Sequence, residues 1–234
     1  MRTLGVIGGM SWESTAVYYR LLNEGVARRL GGLHSAALRL HSVDFAAVAA
    51  AQADGRWDTL AELMCDAARG LVAAGAQGLL VATNTMHRLA PQLEAAVDVP
   101  LLHIADATAR AVRAAGASRV GLLGTRFTME DGAVLLHRLR TLHGLTVDVP
   151  PPAARAEVHR VIYDELCRGR IEPASRAATA GFIAGLAAEG ARGVILGCTE
   201  LGLLIDAVDS PLPVFDSTAL HAAAAVDWML EGHA

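Results

Sequence analysis

Two short polar tripeptides, each placed directly after an apolar run, carry the side chains with the most chemistry to offer: Thr83-Asn84-Thr85 and Cys198-Thr199-Glu200. A thiol whose ordinary pKa is about 8.5 is brought into the working range by N–H donors and helix N-termini, so Cys198 suits a base or a nucleophile. Thr83 lies 115 positions earlier in a matching context, but an unactivated hydroxyl is a poor base near neutral pH. Two proton-handling groups on opposite faces of a bound carbon are what racemisation requires, one removing a proton and the other returning it. Decarboxylation and cis–trans isomerisation use similar geometry. A lone cysteine is more often a small core residue, so the case for Cys198 rests on its surroundings.

Composition removes many other chemistries. All 20 basic residues are arginine, from Arg2 to Arg192, and lysine is absent from the 234 residues. That excludes lysine Schiff-base aldolases, pyridoxal-phosphate Schiff-base enzymes and the lysine-bearing phosphate loop. A formal net charge of -4 lacks the basic footprint of a nucleic-acid binder. Cys65, Cys167 and Cys198 are odd in number and far apart, which fits neither a disulfide framework nor a zinc knuckle, and Cys65 and Cys167 fall in helical patterns as packing or surface residues. Gly5-Val-Ile-Gly-Gly9 does not satisfy the dinucleotide fingerprint, and His103 with Asp106 makes no recognised metal set. Trp12, Trp57 and Trp228 read as packing residues on helices. Arg126 can hold a carboxylate bidentately, although most arginines are solvated surface charges.

An internal repeat supplies the elements that position these groups. Gly70–Thr83 aligns with Gly185–Cys198 at a spacing of 115, identical at all three glycines and at Ala76 with Ala191. Leu4–Gly9 matches Val120–Thr125 at 116, and Asp106-Ala-Thr-Ala109 echoes Asp216-Ser-Thr-Ala219 at 110, in the same order. Each half alternates strand and helix: strands at Leu4–Ile7 and Val120–Leu123, apolar strands covered on both faces at Leu79–Ala82 and Val194–Gly197, and short strands before Asp106 and Asp216. The fold class is therefore α/β, with two similar parallel-sheet domains related by a pseudo-twofold axis and the active site in the cleft between them. In such sheets the reacting groups sit just beyond the carboxyl ends of strands, which places Thr83 and Cys198 at equivalent positions on opposite walls. Residues 70–86 carry no charge, but Gly75, Gln77, Gly78 and Asn84 interrupt them, so a helix, turn and buried strand is expected there and not a membrane span. The N-terminal apolar stretch is too short for a signal segment, and a cytoplasmic location follows as an expectation.

Five segments occur in the order of a known family: Gly8-Gly-Met-Ser-Trp-Glu-Ser-Thr15, Thr83-Asn-Thr-Met-His87, Gly124-Thr-Arg-Phe-Thr-Met129, Leu196-Gly-Cys-Thr-Glu200 and Asp216-Ser-Thr218. On these the chain resembles the aspartate/glutamate racemase family over essentially its whole length. The resemblance implies two similar α/β domains, no cofactor and no metal, a homodimer, and a pair of cysteines as acid and base. Thr83 stands where that family usually has the first cysteine, as in the branch of amino-acid racemases that carry Thr-Asn-Thr-Met-His. Similarity further implies substrate-binding roles for Met10, Gln52, Asn84 and Thr85, with Thr83 paired to Cys198 in catalysis. Thr125 and Thr199 are added from the repeat and its neighbourhood. Glu200 either orients a proton or the substrate ammonium, or caps a helix, and His87 has the same two readings.

The expected domains are residues 1–104 with 212–234, and 105–211, the segments after Asp106 and Asp216 being exchanged so that the last helix returns to the first domain. The expected function is a cofactor-independent amino-acid racemase of the aspartate/glutamate type, with a small amino acid as its partner and neither nucleic acid nor membrane. The rivals are a maleate isomerase or decarboxylase-like enzyme of the same superfamily, and a non-catalytic amino-acid-binding relative.

Overall fold

The computed structural model describes residues 1–130 and 134–232. Its chain divides into two units, Met1–His103 with His221–Ala234, and Ile104–Leu220. Among the described residues no helix is long and apolar enough to cross a membrane.

The first unit is built on a four-stranded parallel sheet, β1 (Leu4–Gly8), β2 (Leu38–Ser42), β3 (Gly78–Val81) and β4 (Leu101–Leu102), in the order β2-β1-β3-β4. Alternation along the strands gives two apolar faces. Ile7, Leu79 and Val81 pack with Val48 of α2 (Phe45–Ala53) and with Leu60, Met64, Ala68 and Leu71 of α3 (Trp57–Ala73). Leu4, Val6, Leu80 and Ala82 pack with Tyr18, Leu22 and Val26 of α1 (Trp12–Leu30). A 3₁₀ turn, Thr85–Leu89, and α4 (Ala90–Ala96) follow β3.

The second unit repeats the plan with β5 (Arg119–Leu123), β6 (Thr146–Asp148), β7 (Val194–Leu196) and β8 (Val214–Asp216) in the order β6-β5-β7-β8, again all parallel. Its core takes Ile104, Ala109 and Val112 from α5 (Ile104–Ala114), Leu135 and Leu139 from α7 (Val134–Thr141), and Ile183 and Leu186 from α9 (Pro173–Ala188). Short α6 (Arg126–Met129), α8 (Pro152–Arg160) and α10 (Leu201–Leu204) complete it, and α11 (Ser217–Leu230) carries the chain back to the first unit. There Ala222, Ala225, Val226 and Met229 join the cluster around Tyr18. The helix after β4 thus belongs to the second unit, and most of the helix after β8 to the first.

The repeat is visible at the level of single hydrogen bonds. After α3, Gly75 (φ +91°) turns the chain, with its N–H on Val72 O (2.9 Å) and that of Ala76 on Leu71 O (3.0 Å). After α9, Gly190 (φ +100°) does the same with Ala187 O (3.0 Å), as does Ala191 with Leu186 O (3.1 Å). Both are left-handed helix stops that favour glycine. The glycines that open β3 and β7 serve close packing instead: a Cβ on Gly78 would lie 2.6 Å from the Trp228 ring, and one on Gly193 2.5 Å from the Phe215 ring.

Three expectations need correction. The boundary expected at 211/212 falls after Leu220, because Val214–Asp216 pairs with β7 and so belongs to the second sheet. Trp12 does not pack: it is 69% exposed at the start of α1, whereas Trp57 packs against the α3 side of the first sheet. Strands β2 and β6, absent from the sequence reading, are edge strands. Four of the five β2 residues are exposed, so that strand has no apolar run to announce it.

Candidate functional site

Register brings the strand ends together within each unit. Ile7 pairs with Val81, and Ala82 N–H extends the ladder to Ile7 O (2.9 Å), so the loops after β1 and β3 emerge side by side. In the second unit Leu123 pairs with Leu196, and Gly197 N–H reaches Leu123 O (2.7 Å).

In the first unit the loop after β1 is fixed by Thr15. Its hydroxyl accepts from Gly9 N–H (2.8 Å) and donates to Ser11 O (2.9 Å), while Ser11 caps α1 through Ser14 N–H (3.3 Å). Met10, buried on this loop, belongs to the same cluster as Val48, Ala51 and Met86. Gln52, also buried, directs its amide nitrogen to Met86 Sδ (3.2 Å). Thr83 and Thr85 are half-buried and Asn84 is buried.

His87 lies beneath this segment, with Nδ1 2.8 Å from the carbonyl oxygen of Thr83. A carbonyl only accepts, so Nδ1 carries the proton. The ring sits 4.6 Å from that of His103 and 5.5 Å from that of His221. His221 in turn donates from Nε2 to Leu102 O (2.8 Å) and accepts at Nδ1 from the Tyr18 hydroxyl (2.9 Å). Tyr18, His87 and His221 are fully buried, so a polar network lies inside an otherwise apolar layer. His103 and Asp106 part company: His103 belongs to this layer, whereas the Asp106 carboxylate takes a bidentate bond from Arg138 (2.7 and 2.8 Å) and one from His143 (2.8 Å).

In the second unit the Cys198 thiol donates to Glu200 Oε2 at 2.9 Å. Glu200 stands just before α10, yet its side chain makes no capping bond, so the thiol is its partner at this end. Burial pushes the Cys198 thiol pKa well up, and the neighbouring Glu200 charge and its bond to the thiol add to this, opposed by the Glu200 main-chain N–H. The resting group is therefore a thiol. Thr199 is buried and accepts from the Thr218 hydroxyl (3.2 Å). Asp216 caps the next helix through Thr218 and Ala219 N–H (2.8 and 3.2 Å), and burial raises its carboxyl pKa. Thr125 is buried, with its hydroxyl 3.2 Å from that of Thr128.

Tyr163, whose phenol feels the Cys198 thiol, and His159, stacked on Tyr163, escaped the sequence reading. Tyr163 lies in a wide helical turn, Val161–Glu165, that continues α8. Burial pushes its phenol up to about 12, with Cys198, Cys167 and Glu200 contributing in the same direction. His159 stacks 4.6 Å from Tyr163, and burial followed by the charge of Arg126 lowers its pKa. Cys167 likewise acts electrostatically on the Cys198 thiol, while Cys65 lies on α3 with its thiol 3.6 Å from Gln92 O. The structure therefore gathers Met10, Gln52 and the Thr83–His87 segment in one unit, and Cys198, Thr199, Glu200 and Thr125 at the strand ends of the other.

Comparison with known proteins bears on this arrangement. Residues 7–225 match the family described as Asp/Glu/hydantoin racemase. A crystal structure of a proposed Asp/Glu racemase from Yersinia pestis is 51% identical, with 98% of this chain and 100% of that one covered and a TM-score of 0.93. An aspartate racemase homologue from Pyrococcus horikoshii OT3 is 31% identical over 98% and 99% of the two chains, with a TM-score of 0.84. The fold also matches glutamate racemase from Francisella tularensis in complex with D-glutamate, at 14% identity over 99% and 82% of the two chains and a TM-score of 0.66. The chain belongs to the Asp/Glu/hydantoin racemase family.

Proposed function

We propose that the protein is a cofactor-independent racemase of aspartate, glutamate or a related amino acid, with Cys198 and Thr83 serving opposite faces of Cα. The observation that carries this reading is the thiol–carboxylate pair of Cys198 and Glu200 at the end of β7, 2.9 Å apart, at the position that the repeat matches to Thr83. Glu200 takes the thiol proton. The thiolate then removes the Cα proton from the enantiomer that presents it, breaking the C–H bond and leaving the electron pair on Cα and the substrate carboxylate. A solvent proton relayed by the Thr83 hydroxyl, or by a water it positions, closes the opposite face, and Glu200 releases its proton to solvent.

His87 has a positioning role, since its proton on Nδ1 fixes the Thr83 main chain and leaves the hydroxyl to the substrate. Main-chain N–H groups and hydroxyls at the two strand ends, with Met10, Gln52, Asn84, Thr85, Thr125 and Thr199, are the candidate substrate contacts. The protein would act in the cytoplasm on a free amino acid.

The test is deuterium wash-in at Cα, followed by NMR, over both enantiomers of the common amino acids. Exchange with loss of optical activity supports the reading. Conversion of a dicarboxylate such as maleate without Cα exchange points to an isomerase or decarboxylase, and tight binding with no exchange points to a binding protein. Cys198→Ala should abolish exchange from the face it serves while Cys65→Ala leaves it intact. Full exchange in Cys198→Ala refutes the assignment.

A further inference from the structure

Arg126 is a charged side chain just beyond the end of β5 that the mechanism leaves without a task. Leu123 pairs with Leu196, and the glycines that follow lie side by side, a Cβ on Gly124 standing 3.2 Å from Gly197 O. At that register Thr125 stands level with Cys198, and Arg126 comes next. Its side chain is exposed and, among the described residues, meets no carboxylate. Glu130, one turn on and the usual partner at that spacing, faces Arg155 of α8 instead (3.5 Å). The guanidinium lies over the Phe127 ring, 4.9 Å from its centroid. Stacking of this kind uses the face of the planar group and leaves the N–H donors along its edge, the part that grips a carboxylate with two parallel bonds.

The segment beneath is held in place. The Arg126 main-chain N–H is directed at His159 Nδ1 (3.5 Å), Phe127 meets the His159 ring edge-on at 6.0 Å, and His159 stacks on Tyr163 at 4.6 Å. Burial, and then the Arg126 charge, lower the His159 pKa, so near neutral pH that ring is an uncharged acceptor. Tyr163, pushed up mainly by burial, feels Cys198 and Arg126 in opposite senses, which puts both within electrostatic reach of one phenol. Thr125 and Thr199, the other candidate contacts of this unit, are uncharged, and Glu200 presents a carboxylate to the thiol. A second carboxylate brought here by a substrate is repelled unless a cation answers it.

We infer that Arg126 reads the substrate side chain, holding the distal carboxylate of an acidic amino acid bidentately and so favouring acids over amides of the same shape. The α-carboxylate is common to all amino acids and has the hydroxyls and main-chain N–H groups of the strand ends, whereas Arg126 stands one residue beyond them. The inference rests on the racemase reading for the identity of the site and adds the residue that selects within it.

The test uses the full chain and compares aspartate with asparagine and glutamate with glutamine, pairs alike in shape and different in charge. Cα deuterium exchange gives kcat/KM and titration calorimetry gives Kd for each. The parent should favour the acid in at least one pair. In Arg126→Gln the acid-to-amide ratio should fall about 10- to 100-fold, the range for one lost charge-assisted contact, with the change in KM and not in kcat. Arg126→Lys keeps the charge and loses the fork, so its ratio should fall less. Circular dichroism confirms that each variant is folded. An unchanged ratio in Arg126→Gln makes this an ordinary surface charge and overturns the inference. So does an equal loss for acid and amide, or a parent indifferent to the side-chain charge. Binding without exchange refutes the racemase reading alone, and the calorimetric ratio then decides the role of Arg126. Failure of all four amino acids to bind overturns both.

Discussion

Tyr18→Phe tests the buried network under Thr83, because it removes one oxygen and leaves the ring. The Tyr18 hydroxyl must be the donor to His221 Nδ1: Nε2 of the same ring, 2.8 Å from Leu102 O, carries the ring's proton. Deleting the hydroxyl removes one hydrogen bond in a region where Tyr18 and His221 are both fully buried, at a cost of about 1–3 kcal/mol. For a protein of this size that is roughly 2–12 °C in Tm, at about 2–4 °C per kcal/mol. Tyr18→Ala should cost more, about 3–5 kcal/mol, since Leu22, Leu80 and Val226 then border a cavity. Replacing His221 by Leu as well removes the acceptor itself, so a double-mutant cycle should give a coupling on the order of 1 kcal/mol, the double variant being less destabilised than the two singles added. Thermal melts followed by circular dichroism with urea titrations at 25 °C measure all three. A Tyr18→Phe protein as stable as the parent, or strict additivity in the cycle, refutes the assignment of donor and acceptor. His221 is also the first residue of α11 in the first unit, so a weakened network should loosen the return of that helix first. Hydrogen exchange along 221–230 reads this directly.

Gly78→Ala and Gly193→Ala force a methyl against the Trp228 and Phe215 rings, and each should destabilise by about 1–3 kcal/mol in urea titrations, with partial rescue by Trp228→Leu and Phe215→Leu respectively. Alkylation by iodoacetamide proceeds through the thiolate. With its pKa held up by burial and Glu200, Cys198 should react more slowly than Cys65 at pH 7.5 and accelerate as pH rises past the ordinary thiol range, and Glu200→Gln should quicken it, all read by peptide mass mapping. A slower Glu200→Gln reaction contradicts the charge argument. Enantiomers have equal free energy in solution, so for the proposed racemase kcat/KM must be the same in both directions, and a weak base at Thr83 would show only in kcat and KM separately. Thr83→Cys should raise kcat from the enantiomer whose proton Thr83 must remove, each tenfold gain being about 1.4 kcal/mol of barrier, whereas undiminished turnover of both enantiomers in Thr83→Ala makes that residue a bystander.

What the sequence disclosed and what it hid divide along a physical line. The four central strands were legible because they are apolar on both faces and each follows or precedes a glycine with a steric reason to be there, as Gly78 under Trp228 and Gly193 under Phe215 illustrate. A continuous run and a packing glycine are local signals, so they recur in both halves and the 115-residue spacing exposed them. The edge strands β2 and β6 had neither: Leu38-Arg-Leu-His-Ser42 is mostly exposed and Thr146–Asp148 has three residues. The tripeptides at the strand ends were legible for the same local reason as the strands. The bond from Cys198 to Glu200 was not, because residues two apart meet only through a particular pair of rotamers, and a capping role for Glu200 fitted the sequence equally well. Tyr163 and His159 lie more than thirty positions before Cys198 and reach its surroundings through α8 and the wide turn that continues it. Counting the same 115 positions onward, Val48 corresponds to Tyr163 and Gln52 to Cys167. Each lies in the helical segment that follows its edge strand, yet neither pair shares a residue type. The repeat therefore fixes where the two halves present their side chains and leaves the chemistry free. Cys198 has Glu200 and Tyr163 in its surroundings, while Thr83 has a histidine beneath its carbonyl. Unequal surroundings at matched positions are what the proposed proton-transfer pair would call for, one member being a thiol and the other a hydroxyl.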